Sequence, residues 1–69
     1  MKNKFAERLR ELRIDAGLTM EQLAEKIGTK HTAISYWESK KRTPTVEYVF
    51  LLCDVFNCTA DYLIGRKES

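Results

Sequence analysis

The sequence has no apolar run approaching the roughly 20 residues that span a bilayer. Its opening, MKNKFAERLRELR, has no apolar centre of the kind a secretory leader carries. Neither a leader nor a membrane contact is therefore expected, and the expected location is cytoplasmic. Cysteine occurs only as Cys53 and Cys58, too few for the disulfide scaffold of an exported chain. Cys53 lies at helical spacing with Val49 and Phe56, where a small buried hydrophobe fits. Histidine occurs once, as His31. Two thiols and one distant imidazole fall short of the ligand set of a structural zinc site, so no metal is expected. No glycine-rich phosphate loop is present, and neither cysteine has a neighbouring base in a recognisable motif. No catalytic residue, cofactor or small-molecule ligand is therefore expected. With one proline and three glycines, little interrupts long helices. Sustained period-two alternation is missing too, which leaves an all-α fold.

What remains is a single domain over residues 1–69, with no linker or repeat. Its 43% hydrophobic and 32% charged residues suit a folded rather than a disordered chain. A net charge of +2 says little about partners. The distribution says more: Lys40, Lys41 and Arg42 make a basic step, with Lys30 shortly before it. At the start, Lys2, Lys4, Arg8 and Arg10 alternate with Glu7 and Glu11, the pattern of a solvated helix face.

Five helices can be placed. The first runs from about Asn3 to Ala16, with Phe5, Leu9, Leu12 and Ala16 on one stripe and Gly17 as its stop. Thr19 opens the second. Thr19 and Gln22 have capping-box spacing, and Leu18 and Leu23 the spacing of a hydrophobic staple. This helix ends near Ile27, before Gly28. The third spans roughly Lys30 to Glu38 and buries Ile34 and Trp37. Pro44 keeps the following chain extended, and Thr45 caps a fourth helix that buries Val49, Leu52, Cys53 and Phe56. Asn57 tolerates the left-handed conformation that stops it. Thr59 caps a last helix, Ala60 to Ile64, before Gly65 and a charged tail at 66–69.

The second and third helices, about residues 19–38, form the informative unit. Ala24 supplies a small residue where they cross, and Gly28 a residue free to take positive φ in the turn. Ile34 and Trp37 anchor the third helix. Lys30, His31, Thr32, Ser35 and Tyr36 then fall on its front and outer face. That face lacks large aliphatic side chains and carries donors and acceptors suited to base edges in a major groove.

The opening RLRELR…GLT, the LAEKIG turn, AISYWE, KKRTP and the closing ADYLIG follow in an order and spacing that resemble the XRE/Cro-type helix-turn-helix family of bacterial and phage regulators. The resemblance covers about Phe5 to Gly65. It implies a compact five-helix, lambda-repressor-like domain and a sequence-specific DNA-binding transcriptional regulator, with a repressor as the first reading. By position it implies base reading by Lys30, His31, Thr32 and, one turn on, Tyr36. It implies backbone contacts from Ser39, Lys40, Lys41, Arg42 and Thr43, and from the start of the second helix at Thr19 and Met20. Arg13 and Glu38 occupy positions that pair as a structural salt bridge in many members. The chain departs from the family at Met20, usually Gln; at Lys30, usually a Ser or Thr cap; and at Lys40, usually Gly.

The implied partner is double-stranded DNA, bound as a homodimer on a palindromic operator. Phe56, Tyr62, Leu63 and Ile64 are the expected dimer surface. Replacing His31 or Tyr36 is expected to change sequence preference. Replacing Lys41 or Arg42 is expected to weaken all DNA binding alike. The alternative is a protein-interaction module of antitoxin or bridging-factor type with the same fold.

Overall fold

The computed structural model describes residues 4–65. It contains five helices: α1 (Phe5–Asp15), α2 (Met20–Ile27), α3 (His31–Glu38), α4 (Val46–Phe56) and α5 (Ala60–Ile64). No strand occurs among the described residues. The expected start at Asn3 and the charged tail lie outside the described residues.

Local chemistry sets most of the boundaries. Thr19 Oγ1 accepts from the Gln22 N–H at 3.0 Å, and Gln22 Oε1 accepts from the Thr19 N–H at 2.9 Å, a complete capping box. Gly28, at φ 76°, ends α2, and the Thr29 N–H then closes onto the Ala24 carbonyl at 2.9 Å. Asn57 ends α4 at φ 53°, with the Cys58 N–H on the Cys53 carbonyl at 3.1 Å. Thr59 caps α5 through the Tyr62 N–H at 3.1 Å. Thr45 differs from expectation: it stands at the N-cap of α4 in extended conformation, but its side chain accepts no capping bond. Lys30 holds the N-cap of α3, where no side-chain cap forms, so the cap usual in the family is lost.

The core gathers Phe5, Leu9, Leu23, Ala24, Ile27, Ile34, Trp37, Leu52, Cys53 and Leu63. Leu12, Leu18, Val49 and Phe56 pack partly buried against it, whereas Ala16 at the end of the α1 stripe is exposed. α2 and α3 pack closely on one another; α1 crosses α3 and α5, and α4 leans on α2 and α5. This arrangement holds α3 from behind and leaves its other side open.

Two expectations are corrected here. Arg8 does not lie on a solvated face: it is 8% exposed, donates from Nη1 to the Tyr62 carbonyl at 2.5 Å, and lies 4.3 Å from the centre of the Tyr62 ring. α5 folds back over α1 and covers it. The Lys4 N–H donates to the Ile64 carbonyl at 3.1 Å on the same side. Leu63 offers no surface to a second subunit, because it is fully buried in the core. Phe56, Tyr62 and Ile64 are half-buried, so the apolar surface expected at this end is largely spent inside the domain.

Lys40 takes φ 67°, a left-handed conformation that disfavours a Cβ. Its side chain reaches Glu7 at 3.4 Å, but both partners are well exposed, so the pair contributes little. Lys40→Gly is expected to raise unfolding free energy by about 0.5–1 kcal/mol, relief of left-handed strain outweighing the added chain entropy. A urea midpoint that stays put or falls in this variant contradicts the strain.

Candidate nucleic-acid interface

α3 is placed by its buried side. Ile34 is fully buried and Trp37 is 5% exposed, with the Trp37 ring tilted against Tyr48 of α4 at a centroid distance of 5.4 Å. With that stripe inward, His31, Thr32 and Tyr36 are exposed and Ser35 is half-buried. Lys30, just before the helix, is exposed as well.

The end of α3 is locked to α1. Arg13 donates from Nε to Glu38 Oε2 at 2.7 Å and from Nη2 to Glu38 Oε1 at 3.1 Å, a bidentate pair. The same guanidinium donates from Nη1 to the Leu18 carbonyl at 2.9 Å. Its hydrogen bonds to Glu38 raise the Arg13 pKa above the ordinary value, and partial burial opposes this. Glu38 is thereby removed from the front of the domain, where an unpaired carboxylate would repel phosphate.

Beyond Glu38 the chain reverses at Lys40. The Lys41 N–H donates to the Tyr36 carbonyl at 2.9 Å, and the Arg42 N–H reaches the same oxygen at 3.4 Å. Ser39 Oγ also donates to it at 3.2 Å. The reversal lays the basic step beside α3. Between them lies an open cleft of about 620 Å³, lined by Lys30, Thr32, Tyr36, Arg42, Thr43 and Tyr48 among others. Two cations and several hydroxyls line it, and no carboxylate does, in a chain with 10 acidic residues.

The structure sorts the candidate residues. Lys30, Thr32, Tyr36, Arg42 and Thr43 meet at this cleft. His31 and Lys41 are exposed outside its lining, and Ser35 is half-buried. The Thr19 hydroxyl accepts from Gln22 in its capping box and, on an exposed residue, keeps its own O–H, whereas Met20 packs partly buried against the core and has no side-chain donor. Ser39 is turned back to Tyr36, and Lys40 toward Glu7. Pro44, Thr45 and Tyr48 complete the cleft without having been expected there. They lie just before α4 and in its first turn, which the chain reaches after the left-handed turn at Lys40.

The cysteines have the character of core groups. Burial, with neighbouring Cys58 adding to it, pushes the Cys53 thiol up to about 11, and burial raises Cys58 as well. A nucleophile or metal ligand requires the thiolate, which these surroundings disfavour. Among the described residues no group of three or more His, Cys, Asp or Glu side chains could hold a metal ion.

Comparison with known proteins gives a consistent picture. A family model described as helix-turn-helix matches residues 9–63. The transcriptional activator BcrR of Enterococcus faecalis is 42% identical over 65 residues, covering 94% of this chain and 32% of that protein. An uncharacterized transcriptional regulator of Bacillus subtilis (strain 168), YobD, is 36% identical over 64 residues, covering 93% of this chain and 57% of that protein. The chain thus spans about a third to just over half the length of these relatives. Among solved structures, the P22 c2 repressor in complex with a synthetic operator superposes with a TM-score of 0.86 at 28% identity, covering 91% of this chain and 96% of that one. The restriction-modification controller protein C.AhdI from Aeromonas hydrophila superposes with a TM-score of 0.79 at 30% identity, covering 87% and 91%.

Proposed function

The chain belongs to the helix-turn-helix family, and from that premise we propose that it is a sequence-specific DNA-binding regulator that represses transcription as a homodimer on a palindromic operator. The cleft carries this reading. Its side of the domain combines an exposed polar helix face with Lys30 and Arg42, and no carboxylate lines it. A polyanion is favoured there, and a short helix held from behind by Ile34 and Trp37 can enter a major groove. The same features argue against a module that binds only proteins, which has no use for an acid-free basic cleft. The repressor in the superposed complex is described with a synthetic operator, and that likeness of fold supports the same mode of binding here.

In this reading Lys30, His31, Thr32 and Tyr36 read base edges, with Ser35 at the margin. Lys41, Arg42 and Thr43 hold the phosphate backbone. The N-terminus of α2 offers its backbone N–H groups and dipole to a phosphate, in place of a Met20 side-chain contact. Few base contacts per domain, each good pair giving about 1–3 kcal/mol, make a single copy poorly selective. Two copies on half-sites about one helical turn apart supply the rest. Repression follows when such a site overlaps a promoter. With Leu63 in the core, the exposed apolar side chains available for pairing are Ile14 on α1 and Val46, Phe50 and Leu51 on α4, where Val46 and Phe50 lie one turn apart.

Selection of bound fragments from random DNA tests the proposal. It is expected to return a two-fold symmetric site, and a reporter carrying that site at its promoter is expected to fall in output. His31→Ala and Tyr36→Leu are expected to shift the preferred bases at separate positions of each half-site. No enrichment over input would refute DNA recognition, and enrichment of a single unrepeated half-site would refute the dimer.

A further inference from the structure

We propose that Arg42, beyond its phosphate contact, is a specificity-determining residue that acts by positioning Tyr36. The inference rests on the DNA-binding reading above and deepens it. It also departs from the expectation that Lys41 and Arg42 are equivalent.

The observation is a pairing that sequence spacing alone does not reveal. The Arg42 guanidinium carbon lies 5.5 Å from the centre of the Tyr36 ring. The backbone brings the two residues together. The Tyr36 carbonyl accepts from the Lys41 N–H, the Arg42 N–H and Ser39 Oγ, so the residue that covers the ring is tied to the residue that bears it. Lys40 at φ 67° turns the chain so that this closure is possible. Ser39 further donates its N–H to the Ser35 carbonyl at 3.0 Å, which joins the turn to the last residues of α3. The base-reading helix and the basic step are therefore one unit at this point.

Consider what each partner gains. Tyr36 is 40% exposed and is not among the side chains packed into or against the core. A guanidinium resting there limits rotation of the ring and sets its plane. Arg42 has no carboxylate partner among the described residues, where the ion pairs are Arg13 with Glu38 and Lys40 with Glu7. Its charge lies instead within cation–π range of the ring, which restrains where its donors point. Both side chains line the same cleft, with Thr32 one turn before Tyr36. A base edge meeting Tyr36 thus meets a preformed tyrosine–arginine pair. Lys41 has no such ring contact, and its exposed ammonium acts as a point charge.

The test compares Arg42→Ala, Arg42→Lys and Lys41→Ala, each with Tyr36 intact and with Tyr36→Leu, by selection from random DNA and by affinity for single-base variants of the selected site. Arg42→Ala is expected to lower discrimination about 2- to 5-fold at the base position that Tyr36→Leu also affects, the size of an exposed cation–π contact. In the Tyr36→Leu background the same change costs affinity but no further discrimination. Arg42→Lys is expected to keep affinity at low salt and still lose discrimination, because an ammonium does not stack as a plane. Lys41→Ala lowers affinity for all sequences by one factor. In the free protein, the Arg42 side-chain proton resonances are expected to lie upfield under the Tyr36 ring current and to return in Tyr36→Leu.

A uniform loss from Arg42→Ala, like that from Lys41→Ala, overturns the proposal while leaving DNA recognition intact. Unshifted Arg42 resonances in the wild-type protein overturn it without reference to DNA. Absence of any selected site removes the DNA-binding reading and this inference together, whatever the resonances show.

Discussion

Glu38→Ala is expected to lower the unfolding free energy by about 3–5 kcal/mol, the cost of leaving one member of a buried ion pair without its partner. The pair qualifies as buried, since the Arg13 and Glu38 side chains are only 12% and 5% exposed. Its geometry is bidentate, and Arg13 donates a third bond, from Nη1, to the Leu18 carbonyl. Removing Glu38 therefore strands a guanidinium between α1, the connection to α2 and the end of α3. A domain of 69 residues has a total stability on the order of 3–10 kcal/mol, at roughly 0.05–0.15 kcal/mol per residue. The variant is thus expected to be partly unfolded at 37 °C. Glu38→Gln keeps the hydrogen-bonding shape but loses the charge, and falls between. The double change Arg13→Met with Glu38→Leu is expected to recover most of the loss, because two apolar groups leave no orphaned charge. Urea denaturation reads all three, provided the slope m is unchanged. A loss below about 1 kcal/mol for Glu38→Ala would show that water screens the pair as it does a surface bridge.

That pair also marks where the sequence stops being legible. Thr19 with Gln22, Gly28, Asn57 and Thr59 act within a few residues of themselves, so the helix ends they set could be read directly. Arg13 and Glu38 lie 25 positions apart, and only resemblance to a family suggested that they meet. Arg8 shows the opposite failure. Its charge pattern on α1 looked like a solvated face, but α5 returns across it from 54 positions away and supplies both a carbonyl and a ring. Leu63 was misplaced for the same reason: a short terminal helix carries too few residues for its periodicity to show which side is inward. In the cleft, the polar face of α3 was legible from the buried spacing of Ile34 and Trp37. Its opposite wall was not, because the turn at Lys40 depends on a lysine adopting a conformation that lysine rarely takes. Arg42 therefore read as one more charge in a basic run, when the structure sets it on Tyr36.

The affinity for an operator-length duplex is expected to fall about 10⁴-fold between 50 and 200 mM monovalent salt, a log–log slope of about −7. The slope follows from counterion release. Each neutralised phosphate contributes about −0.9 on duplex DNA, and roughly four per subunit in a dimer give eight contacts. Lys41, Arg42 and the N-terminus of α2 meet phosphates, and Lys30, exposed at the front of α3, displaces counterions from the duplex even as it reads a base edge, which together account for about four. Lys40 adds less, since its ammonium is drawn toward Glu7 on α1. The net charge of +2 does not oppose so steep a dependence, because the slope counts local contacts rather than total charge. The measurement also separates stoichiometries: a monomer on a half-site gives about half this slope, near −3.5. Lys41→Ala removes one phosphate contact from each subunit and is expected to flatten the dimer slope by about 2 units. Tyr36→Leu, which removes no charge, is expected to leave it unchanged while altering base preference. These two variants form the discriminating pair. If Lys41→Ala leaves the slope where it was, the basic step after α3 does not lie on the phosphate backbone. If the wild-type slope is near zero, the acid-free cleft binds something other than DNA.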